Sequence, residues 1–186
     1  MTRTEIKLAG FGGQGIVLAA FILGKAISIF DKKNAVLTQS YGPEARGGAC
    51  SADVVMADGE IDFPEVTIPQ ISVIMSQEAY TKYGEKIAKN GVLLIDEDLV
   101  QLEPTDKKIK TYSIPSTRFA EELGRKIVAN IVMLGFVTAV TGVATVDAVK
   151  NSLLDSVPKG TEELNMTALM KGYEYGIGIK KKKSKK

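Results

Sequence analysis

The sequence predicts an α/β sandwich with a mostly parallel sheet, one β-hairpin and C-terminal helices. Two observations carry the prediction. Short runs of Val, Ile and Leu at 5–9, 35–38, 71–75 and 92–95 are bounded by turn residues, the pattern of strands buried on both faces. Segments of helical length alternate with them and then take over the C-terminal third. The chain has 186 residues, 45% of them hydrophobic and 25% charged, which suits one soluble globular domain with a substantial core.

In order, a strand at 5–9 runs into Gly10-Phe11-Gly12-Gly13-Gln14-Gly15, and an apolar helix is expected over 14–30. Asp31-Lys32-Lys33-Asn34 makes an exposed turn before a second strand at 35–38. Residues 50–57 read as a third strand, with Asp58-Gly59 turning the chain into a return strand at 60–63 that Pro64 ends. A buried strand follows at 71–75, and Ser76 caps a helix expected over 77–89, which Asn90-Gly91 stops. Strand 92–95 leads to Asp96-Glu97-Asp98, read as a solvated turn. A last strand at 108–114 and a helix at 117–123 come next. Residues 127–146 carry no charge and meet the length of a membrane span. Asn130, Thr138, Thr141, Gly142 and Thr145 interrupt the run, so it reads as a buried core helix stopped by Gly142, with Thr145 capping the next. Helices at 146–156 and 162–175 complete a single domain over 5–175. The lysine-rich stretch 176–186 reads as a basic disordered tail.

The loop after the first strand has the spacing G-x-G-x-x-G, which makes the sandwich Rossmann-like. It reads either as a tight structural turn or as a phosphate or carboxylate cradle at a helix N-terminus. A dinucleotide site also needs an acid at the end of the second strand. That strand ends in Gln39-Ser40, and Asp31 sits at its opposite end, so a conventional NAD site is disfavoured. The most unusual stretch is Gln39-Ser40-Tyr41-Gly42-Pro43-Glu44-Ala45-Arg46-Gly47-Gly48, beyond the carboxyl end of the second strand. Functional loops of parallel sheets lie there, so both loops are expected on one side as the candidate site.

Composition removes several classes of function. Six of the 24 basic residues are lysines between Lys180 and Lys186; without them 18 bases face 22 acids and the body is near −4. No nucleic-acid face follows from the total. With no histidine and one cysteine, Cys50, histidine acid–base chemistry and an internal disulfide are excluded, and a thiolate iron–sulfur or zinc site is unsupported. Cys50 reads as a strand residue. The start of the chain lacks a signal-peptide pattern, which gives a cytoplasmic expectation with no membrane and no nucleic acid as partner.

The two loops resemble those of the gamma subunit of 2-oxoacid:ferredoxin oxidoreductases. The likeness continues through Ser51-Ala52-Asp53-Val54-Val55, Glu60-Ile61-Asp62-Phe63-Pro64, Ser76-Gln77-Glu78-Ala79-Tyr80 and Ala129-Asn130-Ile131-Val132-Met133-Leu134-Gly135. The resemblance implies conversion of a 2-oxo acid, coenzyme A and oxidised ferredoxin to acyl-CoA, CO₂ and reduced ferredoxin. It implies that this chain is a non-catalytic subunit holding no cofactor alone. Thiamine diphosphate, Mg²⁺ and iron–sulfur clusters then belong to alpha, beta and ferredoxin-like delta subunits, and the isolated chain is open to homodimer formation. Pyruvate enzymes tend to carry a basic residue where Phe11 stands and a doubled arginine at Arg46. Indolepyruvate enzymes tend to carry histidine where Tyr41 stands. The 2-oxoglutarate type fits best, with branched-chain 2-oxo acids, pyruvate or a stand-alone dinucleotide oxidoreductase as alternatives. Gly10, Gly12, Gly13, Gln14 and Gly15, with Ser40, Tyr41, Gly42, Pro43, Glu44, Arg46, Gly47 and Gly48, are the expected cofactor-binding or subunit-interface residues; no catalytic or metal-ligating residue is expected.

Overall fold

The computed structural model describes residues 3–40, 48–104 and 108–183. Within these, six strands form one sheet in the order β2-β3-β1-β4-β5-β6. They are β1 (Arg3–Phe11), β2 (Asn34–Ser40), β3 (Ala49–Ala57), β4 (Ile71–Ile74), β5 (Val92–Asp96) and β6 (Lys110–Ile114). The helices are α1 (Ile16–Lys25), α2 (Gln77–Tyr83), α3 (Ser116–Glu122), α4 (Ala129–Thr141), α5 (Val146–Leu154) and α6 (Glu162–Lys183). Strands β1, β4, β5 and β6 pair in parallel, and β3 is antiparallel to both its neighbours.

The hairpin expected at Asp58-Gly59 does not form; a different one is present. β3 pairs with β2, with Leu37 opposite Val54 and Ser40 opposite Ser51, so the long glycine-rich loop is the hairpin connection. Residues 60–63 form no strand. The backbone from Phe63 to Ile68 is held instead by the first side chains of β1. Arg3 donates to the carbonyls of Phe63 (2.6 Å) and Glu65 (3.0 Å), and Glu5 Oε2 accepts from the Thr67 (3.0 Å) and Ile68 (3.3 Å) amides. Side-chain partners satisfy these backbone groups, so no ladder is required.

Alternation along β1 divides the interior. Ile6 and Leu8 enter the main core, which joins them to Ile22, Leu23, Ile27, Ile131, Phe136 and Leu169 beneath α1 and α4–α6. Ala9 enters a smaller core under α2 with Ile74, Ala79, Leu93 and Ile95. Beside that core, Lys7 pairs with Asp53 at 2.6 Å across the β1–β3 register. Burial raises the Asp53 carboxyl above its ordinary value, and Lys7 opposes the shift.

Several helix limits differ from the sequence expectation. α1 begins at Ile16 and passes into a π-type segment, Ala26–Phe30. α2 ends at Tyr83, because the following backbone is drawn to the sheet: the Ala88 amide bonds the Pro69 carbonyl at 2.9 Å. The largest correction concerns the tail. Residues 176–183 continue α6: Ile179 packs against the main core, and Lys180 Nζ donates to the Ala139 carbonyl at 3.2 Å. α6 lies so close to α4 that a Cβ on Gly172 would meet the Val132 carbonyl oxygen at 1.8 Å. No helix among the described residues is long and apolar enough to cross a membrane.

Candidate functional site

The β1–α1 turn is built from glycine because its path is closed to side chains. The Gln14 amide bonds the Phe11 carbonyl at 3.1 Å, Gly13 has φ +100° and Gly15 has φ +74°. Gln14 then folds back over the turn. Its Oε1 accepts from the Phe11 amide at 2.5 Å, and its Nε2 donates to the Met75 carbonyl at 3.0 Å. A Cβ on Gly10 would lie 2.5 Å from that same Oε1. Gln14 therefore ties the end of β1 to the end of β4, and its amide is committed to the chain itself.

Both predicted loops meet at this point. The Gly12 amide donates to the Gly48 carbonyl at 3.3 Å, and β1 and β2 share a direction through the intervening β3. Gly10, Gly12, Gly13, Gln14, Gly15 and Gly48 thus stand together, with the Ser40 backbone at the end of β2. Tyr41, Gly42, Pro43, Glu44, Arg46 and Gly47 lie outside the described residues.

α1 starts without a side-chain cap and without an acid in its first turn. Its first helical bond runs from the Ala19 amide to the Gly15 carbonyl at 3.0 Å. The amides of Ile16, Val17 and Leu18 precede that bond and are the orphan donors of the helix, with the positive end of its dipole behind them. Asn130, missed by sequence reasoning as a site residue, stands at this end. Its Nδ2 donates to the Gly15 carbonyl at 2.9 Å, while its Oδ1 is buried with no partner. A Cβ on Gly15 would come within 2.3 Å of Nδ2, so Gly15 and Asn130 require each other. The available signal was a lone amide in the otherwise apolar stretch 127–137. Beside it is a groove of about 350 Å³ bordered by Gly15, Leu18, Arg125, Ile127 and Leu164. Such a turn can receive an anion; nothing in it supplies a proton or a nucleophile.

Two other sequence features have structural roles. Asp96 is fully buried rather than solvated. One oxygen accepts from Ser116 Oγ (2.6 Å) and from the amide (3.0 Å) and hydroxyl (2.6 Å) of Thr117, and the other accepts from the Asp98 amide (3.1 Å). Cys50 is a half-buried residue of β3, and burial raises its thiol pKa. Among the described residues no cluster of three or more metal-ligating side chains occurs. The lone cysteine and missing histidine do not fit an iron–sulfur cluster.

The β2-β3-β1 order separates this fold from a dinucleotide-binding one. There the second strand lies beside the first; here β3 stands between them, so the end of β2 is two strand spacings away, about 10 Å. The glycine turn and the uncapped start of α1 thus sit in an α/β sandwich whose strand order is not that of a dinucleotide-binding domain.

The chain belongs to the pyruvate ferredoxin/flavodoxin oxidoreductase family, whose model matches residues 5–175. It is 55% identical over 177 residues to the 2-oxoglutarate synthase subunit KorC of Methanocaldococcus jannaschii, covering 92% of this chain and 93% of that protein. Its fold matches the keto/oxoacid ferredoxin oxidoreductase gamma subunit of Geobacter sulfurreducens with a TM-score of 0.87 at 40% identity, over 96% of this chain and 98% of that one. It also matches part of a 2-oxoglutarate:ferredoxin oxidoreductase from Magnetococcus marinus, solved with 2-oxoglutarate, coenzyme A and succinyl-CoA bound. That TM-score is 0.84 at 20% identity, over 95% of this chain but 31% of the longer one, which establishes shared fold. The chain is a gamma-type subunit of a 2-oxoacid:ferredoxin oxidoreductase. A stand-alone dinucleotide enzyme is not supported.

Proposed function

We propose that the enzyme served by this subunit oxidises 2-oxoglutarate, using coenzyme A and ferredoxin to give succinyl-CoA, CO₂ and reduced ferredoxin. The full-length likeness to 2-oxoglutarate synthase subunits supports that substrate. Alpha, beta and ferredoxin-like delta subunits are its partners and hold thiamine diphosphate, Mg²⁺ and iron–sulfur clusters, which supply the decarboxylation and electron-transfer chemistry. The complex works in the cytoplasm. In the absence of those partners the chain self-associates.

The junction of the two loops beside the uncapped start of α1 carries the reading of the site. Orphan helix amides favour a phosphate or carboxylate, and coenzyme A is the anionic reactant without a cofactor to hold it. The subunit's own contribution is to bind and orient that reactant and to seal the catalytic subunits. Tyr41, Glu44 and Arg46 make those contacts, and the glycines keep the turn open.

The test is Arg46→Ala in the assembled enzyme and in the isolated chain. The isolated chain should turn over nothing in either form, and its stability should change by no more than about 0.5 kcal/mol. A guanidinium desolvated against an anion or partner carboxylate is worth roughly 2–5 kcal/mol when truncated, so complex formation or the KM for coenzyme A should suffer strongly. A variant that melts much lower yet assembles and turns over normally would make Arg46 an internal brace and remove the loop from the site.

A further inference from the structure

We infer that the groove beside the start of α1 holds the nucleotide end of coenzyme A, with Asn130 reading the amino group of the adenine. This rests on the coenzyme A reading proposed above and adds which end of the molecule lies on this subunit. The thiol must reach chemistry held by other subunits, so the opposite end is the one left for this chain to hold.

Asn130 carries the assignment. Its side chain is buried and borders the groove together with Gly15. Nδ2 is spent on the Gly15 carbonyl at 2.9 Å, which fixes Oδ1 as the acceptor end of the amide and leaves it without a donor. A buried acceptor with no partner is costly, and a ligand that brings an N–H relieves it. The other walls say what carries that N–H. Leu18, Ile127, Val157 and Leu164 are apolar, so the donor belongs to an apolar body. Arg125 stands exposed on the rim, and the uncapped amides of α1 follow Gly15, so that body is flanked by anionic groups. Adenine, with its exocyclic amine set between a 3′-phosphate and a pyrophosphate, has this composition. The pantetheine arm also carries N–H donors, but it has no anionic group for Arg125 to meet. The groove, about 350 Å³, falls within the roughly 300–1,000 Å³ of small-molecule sites.

The test uses the assembled enzyme and two probes, adenosine 3′,5′-bisphosphate and its inosine counterpart. Hypoxanthine carries an oxygen where adenine carries its amino group, so it sets one acceptor against another at Oδ1. The adenosine compound should compete with coenzyme A, and the inosine compound should do so at least about tenfold more weakly. This comparison needs no variant. A second arm uses Ile127→Glu, at a position 60% exposed and outside both cores, with thermal melts to establish that it folds. It should weaken the adenosine compound and raise the KM for coenzyme A about tenfold, while the KM for 2-oxoglutarate stays the same. Equal inhibition by the two nucleotides, or binding of the adenosine compound that Ile127→Glu leaves intact, overturns the groove as the adenine site. If Gly13→Asp, with its carboxylate at the turn itself, still raises the KM for coenzyme A, only the groove falls. If both variants leave that KM unchanged, the coenzyme A reading falls with it.

Discussion

Two ends of parallel strands in this molecule solve the same problem in opposite ways. At the end of β5 the chain places its own carboxylate: Asp96 accepts from Asp98, Ser116 and Thr117 and so fills the start of α3. At the end of β1 it places glycines, and α1 starts with neither cap nor acid. The first end is closed and has nothing to offer a ligand. The second has no side-chain cap among the described residues and is the end we propose to receive a ligand. A carboxyl cluster at a strand end draws attention in a sequence, yet here Asp96 is structural and the featureless glycines form the end proposed as the site.

Breaking the closed end should give the largest effect. Asp96→Ala strips the acceptor from three hydroxyl or amide donors at the start of α3 and one in the turn before it. Hydrogen bonds to a charged group contribute about 1.5–3 kcal/mol, and unsatisfied buried donors add to the loss. The variant should be less stable by about 3 kcal/mol, with Tm lower by roughly 10 °C, while Asp96→Asn, which keeps one acceptor oxygen, loses less. Denaturant titration measures both. An unchanged midpoint in Asp96→Ala would mean that the β5 end is not held by its carboxylate.

The open end should respond less in stability and more in assembly. Gly15→Ala forces a Cβ into a left-handed turn, at about 1–2 kcal/mol, and drives it against Asn130, whose bond to the Gly15 carbonyl must then stretch or break. A total near 2 kcal/mol is expected. Asn130→Ala should relieve the clash, so the double variant should be more stable than the sum of the two singles predicts. Strict additivity in that cycle would separate Gly15 from Asn130.

What was legible in the sequence was what is local. Ser76 and Thr145 cap their helices through the Ala79 and Ala148 amides at 3.2 Å each, and Gly142 ends α4 at φ +67°, as read from single positions. The glycine turn was equally plain, because its geometry is fixed within six residues. The hairpin partner was not, since β2 and β3 pair across a long loop while Arg3 and Glu5, some sixty residues away, hold the chain from Phe63 to Ile68, at and beyond the end of the segment expected to return. Asp96 was misread for the same reason: its acceptor role is set by Ser116 and Thr117, twenty residues on. Asn130 was visible only as an interruption, and nothing nearby in sequence says that it points at Gly15. The end of α6 was lost because a lysine run describes solvent exposure, whereas Ile179 continues the core contact.

The finest distinction between the two ends is a charge placed where glycine now stands. Gly13 has open space around a Cβ but φ +100°, so Gly13→Ala and Gly13→Asp carry a similar backbone strain of about 1 kcal/mol or more. The difference between them isolates the carboxylate. In the free subunit the acid lies just before α1, whose positive end should favour it by about 0.3–1 kcal/mol; Gly13→Asp should therefore melt slightly above Gly13→Ala. In the assembled enzyme the order should reverse. A carboxylate at the β1 end imitates what Asp96 does at the β5 end, meeting the helix donors from within and repelling an incoming anion. The KM for coenzyme A should rise about tenfold more in Gly13→Asp than in Gly13→Ala, a difference near 1.4 kcal/mol, and high salt should narrow the gap. Equal KM values for the two variants, with equal assembly, would show that no anion approaches this turn and that the glycines serve the backbone alone.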